Sequence, residues 1–246
     1  MYKASVIINT WNENPFWLEA AVESYLNQKN VIIQLIVSTV EGDPSLTSLK
    51  NRPQVEFCIN GRPDIYEQLN KACELIRYPW FVYAASDDVA LPTKLFDEIS
   101  LCLDNDKKIC SSAFHRTEED LNIVSTYKVP EKYSLVDNLR GCVVSDCALI
   151  STDILKEYGP FDMEMDNMAH WDFWLRVATI DPGVFIFNKE ATWLYRQHSN
   201  ARHVKREGQV DKIKKREAAR KRMMQKHYHL LEKYNVEHLA VLDYYK

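Results

Sequence analysis

Apolar residues follow two different periods in the first part of the chain. Short runs rich in Val and Ile predict β-strands at 4–9, 32–38, 54–59 and 80–85. Between these runs, apolar residues recur at three- and four-residue spacing, which predicts helices. The first such series is Leu18, Ala21, Val22, Tyr25 and Leu26. Because strands and helices alternate, we expect an α/β fold with a parallel sheet and right-handed crossovers.

The second part of the chain follows this alternation less regularly. It holds a β-rich stretch at 109–160, a predicted helix at 171–179, and predicted strands at 183–187 and 192–196. From about residue 204 to residue 245 the pattern is helical and polar. We therefore expect a main domain at 1–203 and a basic helical C-terminal extension at 204–246.

Composition limits the class of protein. The 246 residues are 46% hydrophobic and 27% charged, which is ordinary for a globular protein and argues against whole-chain disorder. The apolar runs are far shorter than the roughly 18 residues of a membrane-spanning helix, and the N-terminus lacks the apolar stretch of a secretory signal. Six cysteines without a CxxC pair indicate reduced thiols rather than a zinc site. We expect a cytoplasmic protein.

Charge is distributed unevenly along the chain. Residues 1–201 hold 18 Lys and Arg against 29 Asp and Glu, whereas residues 202–226 hold 11 against 3. The basic segment has two interpretations, a solvated helix packed on the acidic body, or a peripheral contact of 204–226 with the anionic inner membrane surface, where a lipid-linked acceptor would reside. Nucleic acid is not an expected partner, because the rest of the chain is acidic.

Polar residues follow three of the predicted strands. They are Thr10, Trp11, Asn12 and Glu13 after the first strand, residues 38–43 after the second, and Ser86, Asp87 and Asp88 after the fourth. Ligands of open α/β sheets bind at the carboxyl ends of the strands. Two adjacent carboxylates repel each other, and a divalent cation with oxygen ligands would relieve that repulsion and bridge a diphosphate. The alternative for Asp88 is a cap on the helix that opens near Pro92.

Five blocks along residues 4–201 resemble family 2 glycosyltransferases, in the order expected for that family. They are ASVIINTWNENPFWLEAAVESYLNQ, IYEQLNKACELIRYPWFVYAASDDVALPTKL, ALISTDILKEYGPFD, WDFWLR and YRQHSN. The corresponding family patterns include a Thr-aromatic-Asn turn, an x-D-D-x-x-x-P-x-K-L segment, a W/Y-D-x-W-L-R helix and a Tyr-Arg-x-His segment.

The resemblance implies a GT-A fold, with a Rossmann-like nucleotide-binding sheet that carries helices on both faces. It implies a metal-dependent, inverting, hexosyl-type transfer from a nucleotide-diphosphate sugar to a hydroxyl of a glycan or lipid-linked acceptor. Thr10, Trp11, Asn12 and Glu13 would face the base and ribose, with Trp11 as an aromatic surface. Asp87 and Asp88 would hold Mn²⁺ or Mg²⁺ and the diphosphate, and His198 would approach the same metal.

The sequence departs from the family pattern at the donor base and at the catalytic base. Ser38 or Thr39 stands where the family often has an Asp that recognises the nucleotide base, so a uridine donor is not implied. The family's Glu-Asp pair before the W-D-x-W-L-R helix reads Ala-His here, which leaves His170, Asp172 or Asp166 as the residue that takes the acceptor's proton. Asp172 and Arg176 are four residues apart, so an ion pair along a helix is the alternative for Asp172.

Two other classes of function remain open. The chain could be a non-catalytic member that binds a nucleotide sugar or a glycan, because the Glu-Asp pair is missing. It could also be a sugar nucleotidyltransferase, although the glycine-rich phosphate loop of many such enzymes is missing. Dinucleotide oxidoreductases and P-loop enzymes are disfavoured, since neither GxGxxG nor GK[ST] occurs.

Overall fold

A mixed nine-stranded sheet runs through the part of the chain that the computed structural model describes, residues 1–199 and 210–240. Its strands are β1 (Tyr2–Asn9), β2 (Val31–Val40), β3 (Val55–Asn60), β4 (Trp80–Ala84), β5 (Val89–Ala90), β6 (Ile109–Thr117), β7 (Ile123–Tyr127), β8 (Leu149–Ser151) and β9 (Phe185–Arg196). The helices are α1 (Pro15–Leu26), α2 (Ile65–Cys73), α3 (Lys94–Asp104), α4 (Leu135–Arg140), α5 (Thr152–Tyr158), α6 (Ala169–Ile180), α7 (Val210–Lys226) and α8 (Tyr228–Lys233).

The sheet has a parallel half and a mixed half. Strands β1 to β4 are parallel, with β1 between β2 and β4, as the alternation of strands and helices predicted. Strand β8 then pairs antiparallel with both β4 and β6, β9 runs parallel to β6, and β5 and β7 add antiparallel pairings. The overall order is β3-β2-β1-β4-β8-β6-β9-β5, with β7 paired to β6 off this path.

Helices cover both faces of the sheet. Successive side chains of a strand point to opposite faces, so Val6 and Ile8 of β1 pack with α1 and α3, while Ile7 packs on the side of α2 and α6. Helix α1 starts as the sequence predicts, because the Asn14 side chain accepts the Phe16 N–H and Pro15 occupies the first turn. The expected α/β architecture with helices on both faces is confirmed.

The C-terminal helices share the core of the main domain. Ala219, Met223 and Met224 of α7 and Leu230 and Leu231 of α8 lie in the same apolar cluster as residues of α6, the helix of the WDFWLR block. The packing agrees with the interpretation of the basic segment as a helix packed on the body. The expected boundary itself, between 203 and 204, lies outside the described residues.

Two stretches differ from the elements expected from sequence. In 142–151 only β8 forms, because the Ser145 hydroxyl accepts the Cys147 N–H and turns the preceding segment into a loop. The two strands expected at 183–187 and 192–196 form the single strand β9. Its pairing with β6 is irregular where the Asn188 side chain accepts the Glu190 N–H.

The short apolar runs of the sequence predicted no membrane-spanning helix. In the stretches 1–199 and 210–240, no helix combines the length and the apolar character needed to cross a bilayer.

Candidate functional site

The polar segments after the parallel strands meet at one edge of the sheet. Ile8 of β1 lies beside Val37 of β2 and Ala84 of β4, so the three strands run toward the same edge in register. The Thr10 N–H then donates to the Ser38 carbonyl at 2.9 Å, which extends the contact between the first two strands by one step. We call this the carboxyl edge.

The loop after β1 presents an aromatic surface on a fixed backbone. Thr10 is buried, and its hydroxyl lies 3.2 Å from that of Ser45. Trp11 follows with 47% of its surface exposed. Asn12 has a positive φ of 52°, a conformation that non-glycine residues adopt only with local support. The loop therefore displays Trp11 to solvent while its neighbours are held.

Asp43 supplies the support for this loop. One carboxylate oxygen, Oδ1, accepts the backbone N–H groups of Asn12 and Ser45, at 3.1 and 3.0 Å, and Oδ2 accepts the Thr39 hydroxyl at 2.6 Å. Burial alone would raise the pKa of Asp43, but the hydrogen bonds from Ser45, Thr39 and the backbone lower it below its usual value. The sequence placed Asp43 in the segment after β2 but assigned it no role, although an Asp directly before Pro44 is a typical cap signal.

Ser38 and Thr39 point away from the position expected for a donor base. Both are completely buried. The Ser38 hydroxyl donates to the Gln68 carbonyl and accepts from the Asn60 side chain, each at 2.9 Å, while Thr39 is bound to Asp43. Sequence analysis placed these residues where the family recognises the nucleotide base, but here both still belong to β2. The pleat of that strand directs their side chains into the protein.

Asp87 and His198 form a polar pair at the mouth of β4. Asp87 Oδ2 lies 2.9 Å from His198 Nε2, and the Asp87 side chain is 21% exposed. The His198 ring packs against the Trp17 ring, with centroids 4.5 Å apart. The expected proximity of these two residues is therefore present in the structure.

Asp88 faces the interior instead. Its Oδ1 accepts the Arg196 N–H at 2.9 Å, and burial together with the charge of Asp87 raises its pKa well above the usual value. Arg196 also donates through Nε to the Asp87 carbonyl at 2.8 Å, which ties the end of β9 to this turn. The capping alternative for Asp88 is not observed, since Thr93 occupies the N-cap position of α3.

The side chains at this edge that could hold a divalent cation are those of Asp87 and His198. In the described part of the chain, no group of three His, Cys, Asp or Glu side chains converges to hold a metal, so the expected set of Asp87, Asp88 and His198 is assembled only in part. Asp87 Oδ2 and His198 Nε2 are close to each other, at 2.9 Å, and are paired in this structure. Mn²⁺ and Mg²⁺ in nucleotide enzymes are commonly held by one or two protein ligands with phosphates and water completing the shell.

Glu13 connects the two sides of the edge. Its Oε2 accepts the Ser86 hydroxyl at 3.0 Å, and its Oε1 accepts the Asn14 N–H at 2.8 Å. The loop after β1, which carries Trp11, and the turn that carries Asp87 are thereby held together.

His170 lies deeper than expected for a base that contacts an acceptor. It is only 2% exposed. Its ring packs against the rings of Tyr83, Phe161 and Tyr66, and Nδ1 lies 3.1 Å from the Tyr66 hydroxyl. Because its ring is buried in this way, an acceptor cannot contact His170 directly in this conformation.

Asp166, the third candidate, is exposed and has a positive φ of 47°.

Asp172 belongs to a buried ion-pair cluster. Its Oδ1 lies 2.8 Å from both Lys226 Nζ and His227 Nε2, and its Oδ2 lies 2.9 Å from Arg176 Nε. Burial favours a raised pKa, but the hydrogen bonds from His227 and Lys226 and the charge of Arg176 lower it to about 2. The expected pairing with Arg176 is present, and the added cations come from the end of α7 and the residue that follows it.

Sequence comparison finds two related proteins that are named as glycosyltransferases. The chain is 25% identical over 190 residues to the uncharacterized glycosyltransferase MJ1057 of Methanocaldococcus jannaschii, which covers 72% of this chain and 65% of that protein. It is 23% identical over 196 residues to the O-antigen biosynthesis glycosyltransferase WbnJ of Escherichia coli, which covers 75% and 76%. No protein-family model matches the chain.

Structural comparison supports a GT-A-like fold. The chain superposes on residues 1–349 of TarS from S. aureus in complex with UDP-GlcNAc with a TM-score of 0.69, and on the UDP complex with a TM-score of 0.66. In both cases 12% of residues are identical, and the match covers 90% of this chain and 65% of the TarS chain. The chain thus spans just under two thirds of TarS 1–349 and of MJ1057.

Proposed function

We propose that the protein is a glycosyltransferase that takes a sugar from a nucleoside-diphosphate sugar. The observation that carries this proposal is the carboxyl edge, where Glu13 and Asp43 hold the loop that carries exposed Trp11, and Glu13 ties it to the turn of the Asp87–His198 pair. The similarity to MJ1057 and WbnJ, and the fold shared with TarS, whose structures contain UDP and UDP-GlcNAc, support the same function.

In this proposal the loop after β1 binds the nucleoside. Trp11 offers an exposed aromatic face on which a base can stack. Asn12 and Glu13 would face the ribose, since Glu13 ties this loop to Ser86 beside Asp87, and Thr10 is held by Ser45. Ser38 and Thr39 contribute indirectly, since Thr39 orients Asp43 and Ser38 fixes α2.

Asp87 and His198 are the residues that would hold Mn²⁺ or Mg²⁺, and the buried Asp88 fixes the turn that carries Asp87. When bound, the cation would stabilise negative charge on the departing diphosphate. The chain's own residues position the Asp87 carboxylate, since Arg196 binds both the Asp87 carbonyl and the Asp88 side chain.

We further propose an inverting transfer of a hexose to a hydroxyl of a glycan or lipid-linked acceptor. Such a displacement needs a group that takes the hydroxyl proton while the sugar–oxygen bond to the diphosphate breaks. The region around His170 borders the end of β4, because the Tyr83 ring contacts it. Asp172 is assigned to holding the C-terminal helices, because its carboxylate is buried among three basic side chains.

The test is a panel of nucleotide sugars that differ in base and sugar, each incubated with the full chain and Mn²⁺. Release of nucleoside diphosphate from one of them is expected. Thermal stabilisation by a nucleotide sugar without any release would favour the non-catalytic binding protein instead. Formation of pyrophosphate from a sugar phosphate and a nucleoside triphosphate would favour a nucleotidyltransferase.

The outer surface of α7 supports a peripheral contact with an anionic membrane. Lys214, Lys215 and Lys221 are exposed, whereas Ala219 and Met223 pack inward, so the helix presents cations away from the body. Residues 204–209 of the expected contact lie outside the described part. Binding to vesicles that contain phosphatidylglycerol should fall with salt and in the Lys214→Glu/Lys215→Glu variant. Equal binding to neutral phosphatidylcholine vesicles would contradict this contact.

A further inference from the structure

Asp146 places an exposed carboxylate beside the buried imidazole of His170. The Asp146 side chain is 57% exposed, and its Oδ1 lies 3.9 Å from His170 Nδ1. The His170 side chain is 3% exposed, so the carboxylate is the solvent-facing member of the pair. Neither composition nor spacing singled out Asp146, because it lies in the loop between α4 and β8, far in sequence from His170.

The backbone around Asp146 is fixed on both sides, although its side chain faces solvent. The Ser145 N–H donates to the Ser111 hydroxyl on β6 at 3.0 Å. The Cys147 N–H donates to the Ser145 hydroxyl at 3.1 Å, and the Cys147 carbonyl accepts the ammonium group of buried Lys94 at 3.4 Å. An acidic side chain on an anchored loop is pre-organised, as catalytic groups need to be.

This carboxylate lies at the same edge as Asp87. Strand β8 runs antiparallel to β4, with Leu149 opposite Val82. The residues that precede Leu149 therefore lie toward the carboxyl end of β4, which is the end that Asp87 follows. Asp146 precedes Leu149 by three residues, so a sugar whose diphosphate is bound at Asp87 would extend over the edge to which Asp146 belongs.

We infer that Asp146 is the catalytic residue that takes the acceptor's proton, and that His170 is its positioning residue. This inference rests on the proposed glycosyl transfer. The acceptor oxygen forms a bond to the anomeric carbon, and the bond from that carbon to the diphosphate oxygen breaks, with its electron pair remaining on the nucleoside diphosphate. The acceptor's proton passes to an Asp146 carboxylate oxygen. His170 positions that carboxylate as the buried side chain behind it, with Nδ1 3.9 Å from Asp146 Oδ1.

Within the described part of the chain, several elements contact His170. Tyr66 comes from α2, Tyr83 from β4 and Asp146 from the loop before β8, and the other packed rings are Phe161 and Trp174. Among these described neighbours, Asp146 carries the carboxylate. Asp146→Asn therefore removes the acid beside His170 and leaves the rings around it in place.

The experiment compares Asp146→Asn with wild type, using the nucleotide sugar that the panel selects and water as the acceptor. We expect Asp146→Asn to lower kcat by about 10²- to 10⁴-fold, with the dissociation constant of the nucleoside diphosphate within about twofold of wild type. Asp146→Glu should recover part of the rate, because it restores a carboxylate. Asp137→Asn, an exposed acid on α4 paired with Arg140, is the matched control and should be neutral.

Three results would overturn parts of this account. Equal kcat in wild type and Asp146→Asn, with diphosphate release intact, overturns the role of Asp146 alone. A large loss in His170→Gln combined with a neutral Asp146→Asn makes His170 the base. No release from any donor by wild type overturns the proposed function and this inference with it. For a positioning role, His170→Gln should lower kcat about tenfold without weakening nucleotide binding, and it should have no further effect in the Asp146→Asn background.

Discussion

Two Asp–His pairs in this protein have almost the same distance between carboxylate and imidazole but opposite surroundings. Asp87 and His198 are 2.9 Å apart at the carboxyl edge, and Asp172 and His227 are 2.8 Å apart beneath the C-terminal helices. Asp172 is fully buried and also contacts Lys226 and Arg176. Asp87 is 21% exposed, and His198 is the basic side chain found on its carboxylate within the described residues.

The surroundings of the two carboxylates decide what each of them can bind. The charge of Asp172 is already compensated by basic groups of the chain, so it contributes to folding and has little to offer a ligand. The charge of Asp87 is compensated only in part and faces solvent, which suits binding of a cation and a diphosphate. A short distance between a carboxylate and a histidine therefore does not identify a binding site. The other partners of the carboxylate and its exposure to solvent do.

Of the two pairs, the exposed one should give the larger effect on turnover when its carboxylate is neutralised. Asp87→Asn should lower turnover by about 10²- to 10³-fold, because the charge that develops on the leaving diphosphate loses its main stabilising group. EDTA should act similarly on wild type, and Mn²⁺ or Mg²⁺ should restore activity. The melting temperature should stay within a few degrees. Asp104→Asn, an exposed acid at the end of α3, serves as control, and full turnover in EDTA would refute the metal's role.

Neutralising the buried pair should affect stability instead. Asp172→Asn leaves Lys226 and His227 facing an uncharged group, which costs about 3–5 kcal/mol of unfolding free energy and roughly 10 °C in melting temperature. Turnover per folded molecule should be close to wild type. Asp153→Asn removes an exposed pair with Lys156 and should cost less than about 0.5 kcal/mol. Near-normal stability in Asp172→Asn, measured by chemical denaturation, would contradict the structural role.

Acid should reproduce a smaller version of that change. The pKa of Asp172 is lowered to about 2 in the folded protein, from an unperturbed value of 3.8, which corresponds to about 2 kcal/mol of stability. Because the folded pKa is the lower one, this contribution is present above about pH 4 and is lost as pH falls from about 4 to 2. Unfolding free energies measured across that window should fall less steeply in Asp172→Asn, and parallel curves would argue against the assignment.

The smallest expected effect concerns the support of the donor loop. Asp43→Ala releases Asn12 from its positive φ, so the loop must be ordered when the nucleotide binds, and the nucleoside diphosphate should bind about tenfold more weakly. Asp181 is a matched control, since it also precedes a proline and caps a short turn, through the Gly183 N–H, away from the edge. Calorimetric titration of both variants with the nucleoside diphosphate tests this prediction. Equally weakened binding in the two variants would contradict the role of Asp43.

The parallel half of the fold was predictable because its signals are local. Apolar runs fixed β1 to β4 and helical spacing fixed α1 to α3, and the carboxyl edge followed from the rule for parallel sheets. The helical character of the C-terminal segment was also readable from the sequence. The contacts that attach this segment to the main domain were not readable from the sequence, since the Asp172–Lys226 and Asp172–His227 contacts join residues more than fifty positions apart.

The candidate site was predictable only in part for the same reason. Asp87 and His198 meet as the family resemblance implied, but the sequence does not reveal that Asp88 turns inward to Arg196. Asp43 and Asp146 carry no motif of their own, and their importance comes from backbone hydrogen bonds and from proximity that only the folded chain creates. Burial of Ser38 and Thr39 likewise depends on where β2 ends.

The central claim is that the carboxyl edge, and not the buried cluster, binds the donor. The most direct measurement is a crystal structure of the full chain with Mn²⁺ and the nucleoside diphosphate that the panel selects, with Mn²⁺ located by its anomalous signal. The account predicts Mn²⁺ at Asp87 and His198, the diphosphate beside it, and the base on Trp11. Mn²⁺ or nucleotide bound elsewhere, with Asp87 and His198 still paired to each other, would contradict it.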